Sequence, residues 1–136
     1  MEDRYLFKAK RTDNGEWVIG YYGVIGKRNV IIEKYAENYY CPDTYESRHG
    51  NQIHEVNSKT ICQCTGLKDK NGKLIWENDI VKINNSKVNV LITFRDFEII
   101  CTIPSEKYYK HRLEYDTEYE VIGNIFDNPE LLESEE

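Results

Sequence analysis

The stretch Thr60-Ile61-Cys62-Gln63-Cys64-Thr65-Gly66-Leu67-Lys68-Asp69-Lys70-Asn71-Gly72-Lys73-Leu74-Ile75-Trp76-Glu77-Asn78-Asp79-Ile80-Val81 carries the densest structural punctuation in the chain. Extended from Thr60 to Thr65, it turns Ile61 and Gln63 to one side and Cys62 and Cys64 to the other. Gly66 is expected to end that strand. Lys68 to Gly72 is a polar turn whose Asn71-Gly72 pair is the strongest short hairpin signal available, and Lys73 to Trp76 brings the chain back. Glu77-Asn78-Asp79 then makes a second corner, opening a strand at Ile80 to Ile83.

Outward from this unit the chain continues to read as β. Arg4 to Lys10 alternates apolar and charged residues, Asp13-Asn14-Gly15 supplies turn chemistry, and Glu16 to Tyr22 resumes with Trp17, Ile19 and Tyr21 at period two. Asn29 to Glu33 is a short β-branched run. Tyr35 to Asn51 mixes tyrosines with Pro42, Asp43, Ser47, His49 and Gly50, and reads as loop with at most an edge strand. Further strands are expected at Lys87 to Phe94, Phe97 to Ile103 and Tyr119 to Ile122. Pro104 to Leu113 is a helix candidate, and Asn128 caps a terminal turn in which Pro129 takes the first helical position before Leu131 and Leu132. The expected fold is mainly β, a small barrel or sandwich with one or two short helices. Residues 1–136 form one domain on this reading, or two lobes of about 1–57 and 58–136.

Composition bounds the function classes. At 136 residues the chain can bury a core without covalent staples. Its four cysteines, Cys41, Cys62, Cys64 and Cys101, do not form the dense framework of a secreted mini-domain. No apolar run resembles a signal peptide or a membrane span, so the expected compartment is a reducing cytosol, with no membrane partner. The net charge is −6, but Asp127, Glu130, Glu133, Glu135 and Glu136 supply five of those charges in the last ten residues, where no base stands. The body is nearly neutral, which argues against a nucleic-acid mimic with carboxylates over a whole face.

Three motifs carry candidate chemistry. Cys62 and Cys64 put two thiols on one strand face, yet structural zinc needs four ligands, and no second Cys/His pair has suitable spacing. Buried, inert thiols are the expected outcome. His49, His54 and His111 have no nucleophile turn or phosphate-cradling glycine loop beside them. Glu77, Asp79 and, across the hairpin, Asp69 can be drawn as a hard-cation site. Acids at strand corners more commonly accept backbone N–H groups, which is the reading adopted for them. No catalytic residue, metal ligand or cofactor site is therefore expected.

Two blocks, in order, resemble the YopX family, small proteins typical of phages and prophages. The family pattern is roughly T-V-x-Q-x-T-G-L-x-D-x-N-G-x-x-I-(aromatic)-E-G-D-I-V, matched here at Thr60, Gln63, Thr65, Gly66, Leu67, Asp69, Asn71, Gly72, Ile75, Trp76, Glu77, Asp79, Ile80 and Val81. The closing V-I-G-N-I-(aromatic)-x-N-P-E-L-L is similar to Val121 to Leu132, with Gly123, Asn124 and Pro129 in place. Trp17-Val18 followed by Gly20-Tyr21 is compatible with the family's loose opening. Asn78 stands where the family has Gly, and Asn tolerates a left-handed backbone better than most residues. The resemblance implies a phage or prophage protein acting in the cytoplasm of a host cell. It implies no particular biochemical activity.

The expected role is a non-enzymatic interaction module whose partner is a host or phage protein. Self-association is a further expectation, motivated by eleven tyrosines and by β edges that something must cover. The alternative is a nucleic-acid-binding accessory protein. Lys107, Tyr108, Tyr109, Lys110 and Arg112 interleave bases with aromatics, supplemented by Arg4, Lys8, Lys10 and Arg11. A sequence pI of about 5.2 weighs against it. On a helix, Tyr108 with Arg112 and Tyr109 with Leu113 would pair off as half-buried anchors.

Overall fold

The computed structural model describes residues 5–33, 53–84, 88–95, 98–103, 106–112 and 117–132, with only the backbone course described for 106–112. The expected loop at Tyr35 to Asn51, with Cys41 and His49, lies outside these residues, as do Arg4 and the acids at 133, 135 and 136. Among the described residues there are eleven strands: β1 (Phe7–Lys10), β2 (Trp17–Ile25), β3 (Arg28–Glu33), β4 (Ile53–Glu55), β5 (Cys62–Lys68), β6 (Leu74–Trp76), β7 (Asp79–Ile83), β8 (Asn89–Arg95), β9 (Glu98–Ile103), β10 (Glu106–Arg112) and β11 (Tyr119–Asn124). The pairings among these strands are all antiparallel. The protein is thus mainly β, built on two sheets. Among the described residues there is no closed barrel, and the only helical pieces are short 3-10 turns such as Ser58–Thr60 and Pro129–Leu132.

The chain divides into two compact units, Met1–Gln63 and Cys64–Glu136. In the first, β2 lies between β1 and β3, and β4 pairs with the other side of β3. The first residues of β5 pair with β1 through Phe7 opposite Gln63 and Lys8 opposite Cys62. Ala9, Val18, Ile31 and Val56 form the buried face of this sheet, with Phe7 and Ile61 against them. The period-two set Trp17, Ile19 and Tyr21 is not the inward face of β2. Val18 and Gly20 point in, while Ile19 and Tyr21 are exposed. Gly20 has no alternative here, because a Cβ at that position would lie 2.0 Å from the carbonyl oxygen of Ile32.

The second unit holds the remainder of β5 with β6, and a five-stranded sheet in the order β10-β9-β8-β7-β11. Its core is Ile75, Val81, Val90, Ile92, Cys101 and Tyr119, with Leu67, Ile83, Ile99, Ile103 and Val121 packed around it. Two expectations are corrected. Gly66 does not end β5; the strand runs on to Lys68 through a register shift between Cys64 and Lys68, with Gly66 at φ +84°. The glycine thus lets the backbone enter the left-handed region needed by a bulge, not by a terminus. The helix expected over Pro104 to Leu113 is also absent: Glu106–Arg112 is a strand paired with β9, interrupted by a bulge. β9 leaves its outer backbone groups to be satisfied, and pairing them outweighs a weak local helix signal.

Candidate functional site

The motif residues of Thr60 to Val81 converge on backbone groups. Thr60 Oγ1 accepts Lys10 N–H at 2.9 Å and donates to Asn57 O at 2.7 Å. Thr65 Oγ1 donates to Ile75 O across the hairpin at 2.7 Å and accepts Leu67 N–H at 3.1 Å, which ties down the bulge at Gly66. Asp69 is buried. Its Oδ1 accepts the N–H groups of Asn71 and Lys73, both at 2.9 Å, and its Oδ2 accepts Val121 N–H on β11 at 3.0 Å. Burial alone would raise this carboxyl, but the N–H groups of Val121, Lys73 and Asn71, helped by the Lys73 charge, hold it below its ordinary value. The turn itself closes by Gly72 N–H to Asp69 O at 3.0 Å and Asp69 N–H to Lys73 O at 2.7 Å. Gly72 alone takes a positive φ there; Asn71 does not, so the loop is the longer bulged kind and not a two-residue turn.

The acidic corner follows the same logic. Asp79, 3% exposed, accepts Trp76 N–H on Oδ2 at 2.8 Å. Asn78 takes φ +74°. Its N–H donates to Ile92 O at 2.8 Å, and its carbonyl accepts Ile125 N–H at 3.0 Å. At the C-terminal block Asn124 Oδ1 accepts from both Phe126 and Asp127 N–H at 2.9 Å, while Asn124 N–H donates to Asn128 Oδ1 at 3.3 Å. Asn128 thus reaches back to β11 besides opening the 3-10 turn at Pro129. Gly123 makes room for this, since a Cβ there would stand 2.6 Å from Asn128 Oδ1 and 2.9 Å from Leu131 Cδ1.

Cys62, Cys64 and Cys101 are buried free thiols. Burial pushes the Cys101 thiol up to about 12, so it remains a protonated, inert hydrophobe at neutral pH. Among the described residues no group of three or more His, Cys, Asp and Glu side chains is arranged to hold a metal ion. Glu77 stands at the corner half-buried, and His54 on β4 contacts Glu33 at 3.0 Å.

What the structure assembles on the surface is an apolar face on the first unit. Register places Lys8 opposite Ile19, Lys10 opposite Trp17, Tyr21 opposite Ile32, and Ile32 opposite Ile53. Residues directly opposite share a face, as do alternate residues along one strand. Ile19, Tyr21, Ile32 and Ile53 therefore lie together on the side away from Ala9, Val18 and Ile31, exposed by 44%, 47%, 37% and 43%, with Ile25, 54% exposed, further along β2 opposite Arg28. Single exposed aliphatics are ordinary; a contiguous cross-strand group is not. At its β1 side the ammonium groups of Lys8 and Lys10 lie 4.7 and 5.4 Å from the Trp17 ring centre.

The family model for the YopX protein matches residues 7–133, nearly the whole chain. The chain belongs to the YopX family. A comparison with curated proteins gives no match. In this YopX-family fold the closing motif block and the first block from Cys64 onward lie on the second unit, where Thr65, Asp69, Asn78, Asp79, Gly123 and Asn124 serve bulges, turns and strand ends. Gln63 pairs opposite Phe7, and Leu67 and Trp76 contribute packing. The basic-aromatic run Lys107, Tyr108, Tyr109, Lys110 and Arg112 falls on β10, the last strand in the order of its sheet. Its strand backbone removes the helical i, i+4 grouping expected for it. Sequence reading missed β4 altogether, and with it the Ile53 side of the apolar face. The signal that finds it is cross-strand register, which one strand's periodicity does not contain. No helix among the described residues is long and apolar enough to cross a membrane.

Proposed function

We propose that this protein is a non-enzymatic protein-interaction module of phage or prophage origin, working in the host cytoplasm and contacting its partner through the outer face of β1–β4. The observation that carries this reading is the cross-strand group Ile19, Tyr21, Ile32 and Ile53 on solvent-facing sheet surface. Apolar side chains left together in water at neighbouring register positions lower their free energy when a partner covers them. The titratable motif residues support the same reading: Asp69 and Asp79 are buried and accept backbone N–H groups, an arrangement that fixes a fold.

Nucleic-acid binding through Lys107 to Arg112 is the weaker reading, because the chain's acidic balance counts against it. Affinity capture from host lysate, before and during prophage induction, tests the two together. Wild-type bait and an Ile19→Glu, Tyr21→Glu bait are compared, with proteins and nucleic acids assayed in the same eluates. A stoichiometric protein retained by the wild type and lost with the double variant is the expected result. Nucleic acid in the wild-type eluate, with no such protein, overturns the reading.

A further inference from the structure

We infer that Asn71-Gly72 is a site of spontaneous covalent modification, at which conversion of Asn71 to isoaspartate releases the hold of the β5–β6 turn on β11. The reaction uses only the chain and water. Gly72 N attacks Asn71 Cγ and closes a five-membered succinimide; the Cγ–Nδ2 bond breaks, and ammonia departs with the Gly72 amide proton. Water then opens the ring. Cleavage at Cγ leaves aspartate. Cleavage at the backbone carbonyl leaves isoaspartate, whose main chain runs through Cβ and Cγ and is one carbon longer between residues 71 and 72.

The turn meets the requirements of the first step. Asn71 and Gly72 are both exposed. Glycine presents no Cβ to block the attack, and beside Gly72 the space is open, with nothing within 4 Å of where a Cβ would stand. One contact resists. Gly72 N–H donates to Asp69 O at 3.0 Å, and the amide must leave that bond before its nitrogen reacts, a local opening of the kind that exposed turns make at low cost. The net worth of one such bond slows the native protein about fivefold relative to a free peptide.

The consequence for β11 follows from Asp69. Its Oδ1 accepts the N–H groups of Asn71 and Lys73, both at 2.9 Å, from either side of the 71–72 linkage, while its Oδ2 takes Val121 N–H at 3.0 Å. The same span is closed by Asp69 N–H to Lys73 O at 2.7 Å. An added main-chain carbon moves the two N–H groups apart, so one carboxylate oxygen no longer serves both. Isoaspartate also sets a second carboxylate near that of Asp69. Both effects loosen the grip on Val121 and open the outer edge of β11, and an open edge takes up another strand. Asn14-Gly15 is the internal comparison. Gly15 has a similar φ, +76°, but the bonds across that linkage join Gly15 N–H to Arg11 O, Arg11 N–H to Glu16 O and Glu16 N–H to Asn14 Oδ1. They stay within residues 11–16.

The test ages the full chain at pH 8 and 37 °C beside a synthetic peptide of residues 67–75. Peptide mass spectrometry with electron-transfer fragmentation tells isoaspartate from aspartate, and Asn71 should convert to both in the native protein about fivefold more slowly than in the peptide. The deamidated chain is then collected by ion exchange, and residue-resolved amide exchange is followed by NMR. Its isoaspartate form should exchange about tenfold or more faster at Lys73 and Val121, as expected for the loss of a hydrogen bond to a charged acceptor. Asn71→Asp carries the added charge without the added carbon and should show a smaller change. Asn71→Gln, which cannot close the five-membered ring, should age with Val121 unchanged, and isoaspartate at Asn14 should leave Val121 as it was. Native Asn71 still intact after about ten peptide half-lives overturns the site. Unchanged exchange at Val121 in the isoaspartate form overturns the link to β11, as does an equal change in Asn71→Asp.

Discussion

The carboxylate of Asp69, in the turn after β5, takes the N–H of Val121 on β11 at 3.0 Å, 52 residues further along the chain. Beside it, Lys70 N–H donates to Tyr119 O at 2.9 Å. The hairpin turn thereby satisfies backbone groups of β11 on the side not paired with β7, the kind of edge that otherwise recruits another strand. Asp69→Ala strips partners from three backbone N–H groups. With charged hydrogen bonds worth about 1.5–3 kcal/mol each, and water restoring part of the loss, destabilisation of about 3 kcal/mol is expected in urea unfolding. Lys70→Ala keeps the backbone N–H and removes only an exposed pair with Glu120 at 3.7 Å, so it should cost less than about 0.5 kcal/mol. Equal losses for the two variants would contradict this assignment.

Acid should act through the same carboxylate. Desolvation works to raise the Asp69 carboxyl, but the N–H groups of Val121, Lys73 and Asn71 pull harder and leave it below its ordinary 3.8. In the unfolded chain the group binds its proton first as pH falls. Its contribution is thus fully present above about 3.8 and is lost as pH drops through the lower folded value. Melting temperature followed from pH 6 to pH 2 should fall more steeply below pH 4 for the wild type than for Asp69→Asn. Parallel curves would remove Asp69 as the group responsible.

How much of this was legible depends on whether the decisive partner is near in sequence. The hairpin from Thr60 to Trp76 was readable because its polar turn and flanking apolar residues are local. Whether Gly66 ends a strand or bulges it was not, since the choice is made by Thr65 Oγ1 reaching Ile75 O on the returning strand. Pro104 to Leu113 reads as a helix because Pro and Ser stand at its start, and the ladder offered by β9 lies outside any local window. On β2 both parities are apolar: Trp17, Ile19 and Tyr21 alternate with Val18 and Tyr22. Alternation therefore finds the strand but does not choose its inner face. Gly20 chooses, by bringing the Ile32 carbonyl too close for any Cβ.

The corner at Trp76 to Asp79 predicts a graded series. Asp79→Ala leaves the buried Trp76 N–H without the acceptor it has at 2.8 Å, and should cost about 1–3 kcal/mol. Asn78→Ala must hold φ +74° with a Cβ and no polar side chain, at a cost of about 1 kcal/mol. Asn78→Gly relaxes that conformation but frees the unfolded chain, so its net effect should stay within about 0.5 kcal/mol. Chemical denaturation of the three variants checks the order. Asn78→Gly as the most damaging of them would refute the left-handed corner.

Thiol chemistry separates an inert core from a reactive site. Cys62, Cys64 and Cys101 are buried, and the Cys101 thiol is pushed up to about 12, leaving almost no thiolate at neutral pH. Iodoacetamide at pH 8, read by peptide mass spectrometry, should leave all three unmodified in the native protein and modify all three in urea. Rapid native labelling at Cys62 or Cys64 would reopen the pair as a redox or metal-binding element.

Two glycine substitutions should differ sharply although each adds a single methyl group. At Gly123 the new Cβ meets Asn128 Oδ1 at 2.6 Å and Leu131 Cδ1 at 2.9 Å, both ends of side chains that can turn away. Gly123→Ala should therefore cost about 1–2 kcal/mol, chiefly through the lost Asn128 to Asn124 N–H bond and displaced packing. At Gly20 the Cβ would stand 2.0 Å from the Ile32 carbonyl oxygen and 2.9 Å from Glu33 Cα, which are backbone atoms of β3. Relief there requires β2 and β3 to part where Gly20 pairs with Glu33 and Tyr21 with Ile32, the register that brings Tyr21 and Ile32 side by side. Gly20→Ala should cost upwards of about 3 kcal/mol, beyond the usual overpacking range. It should also loosen the apolar face, seen as faster amide exchange at Tyr21 and Ile32 and weaker binding by any partner that needs both. A Gly20→Ala protein as stable as Gly123→Ala would show that the close approach of β2 to β3 is wrong.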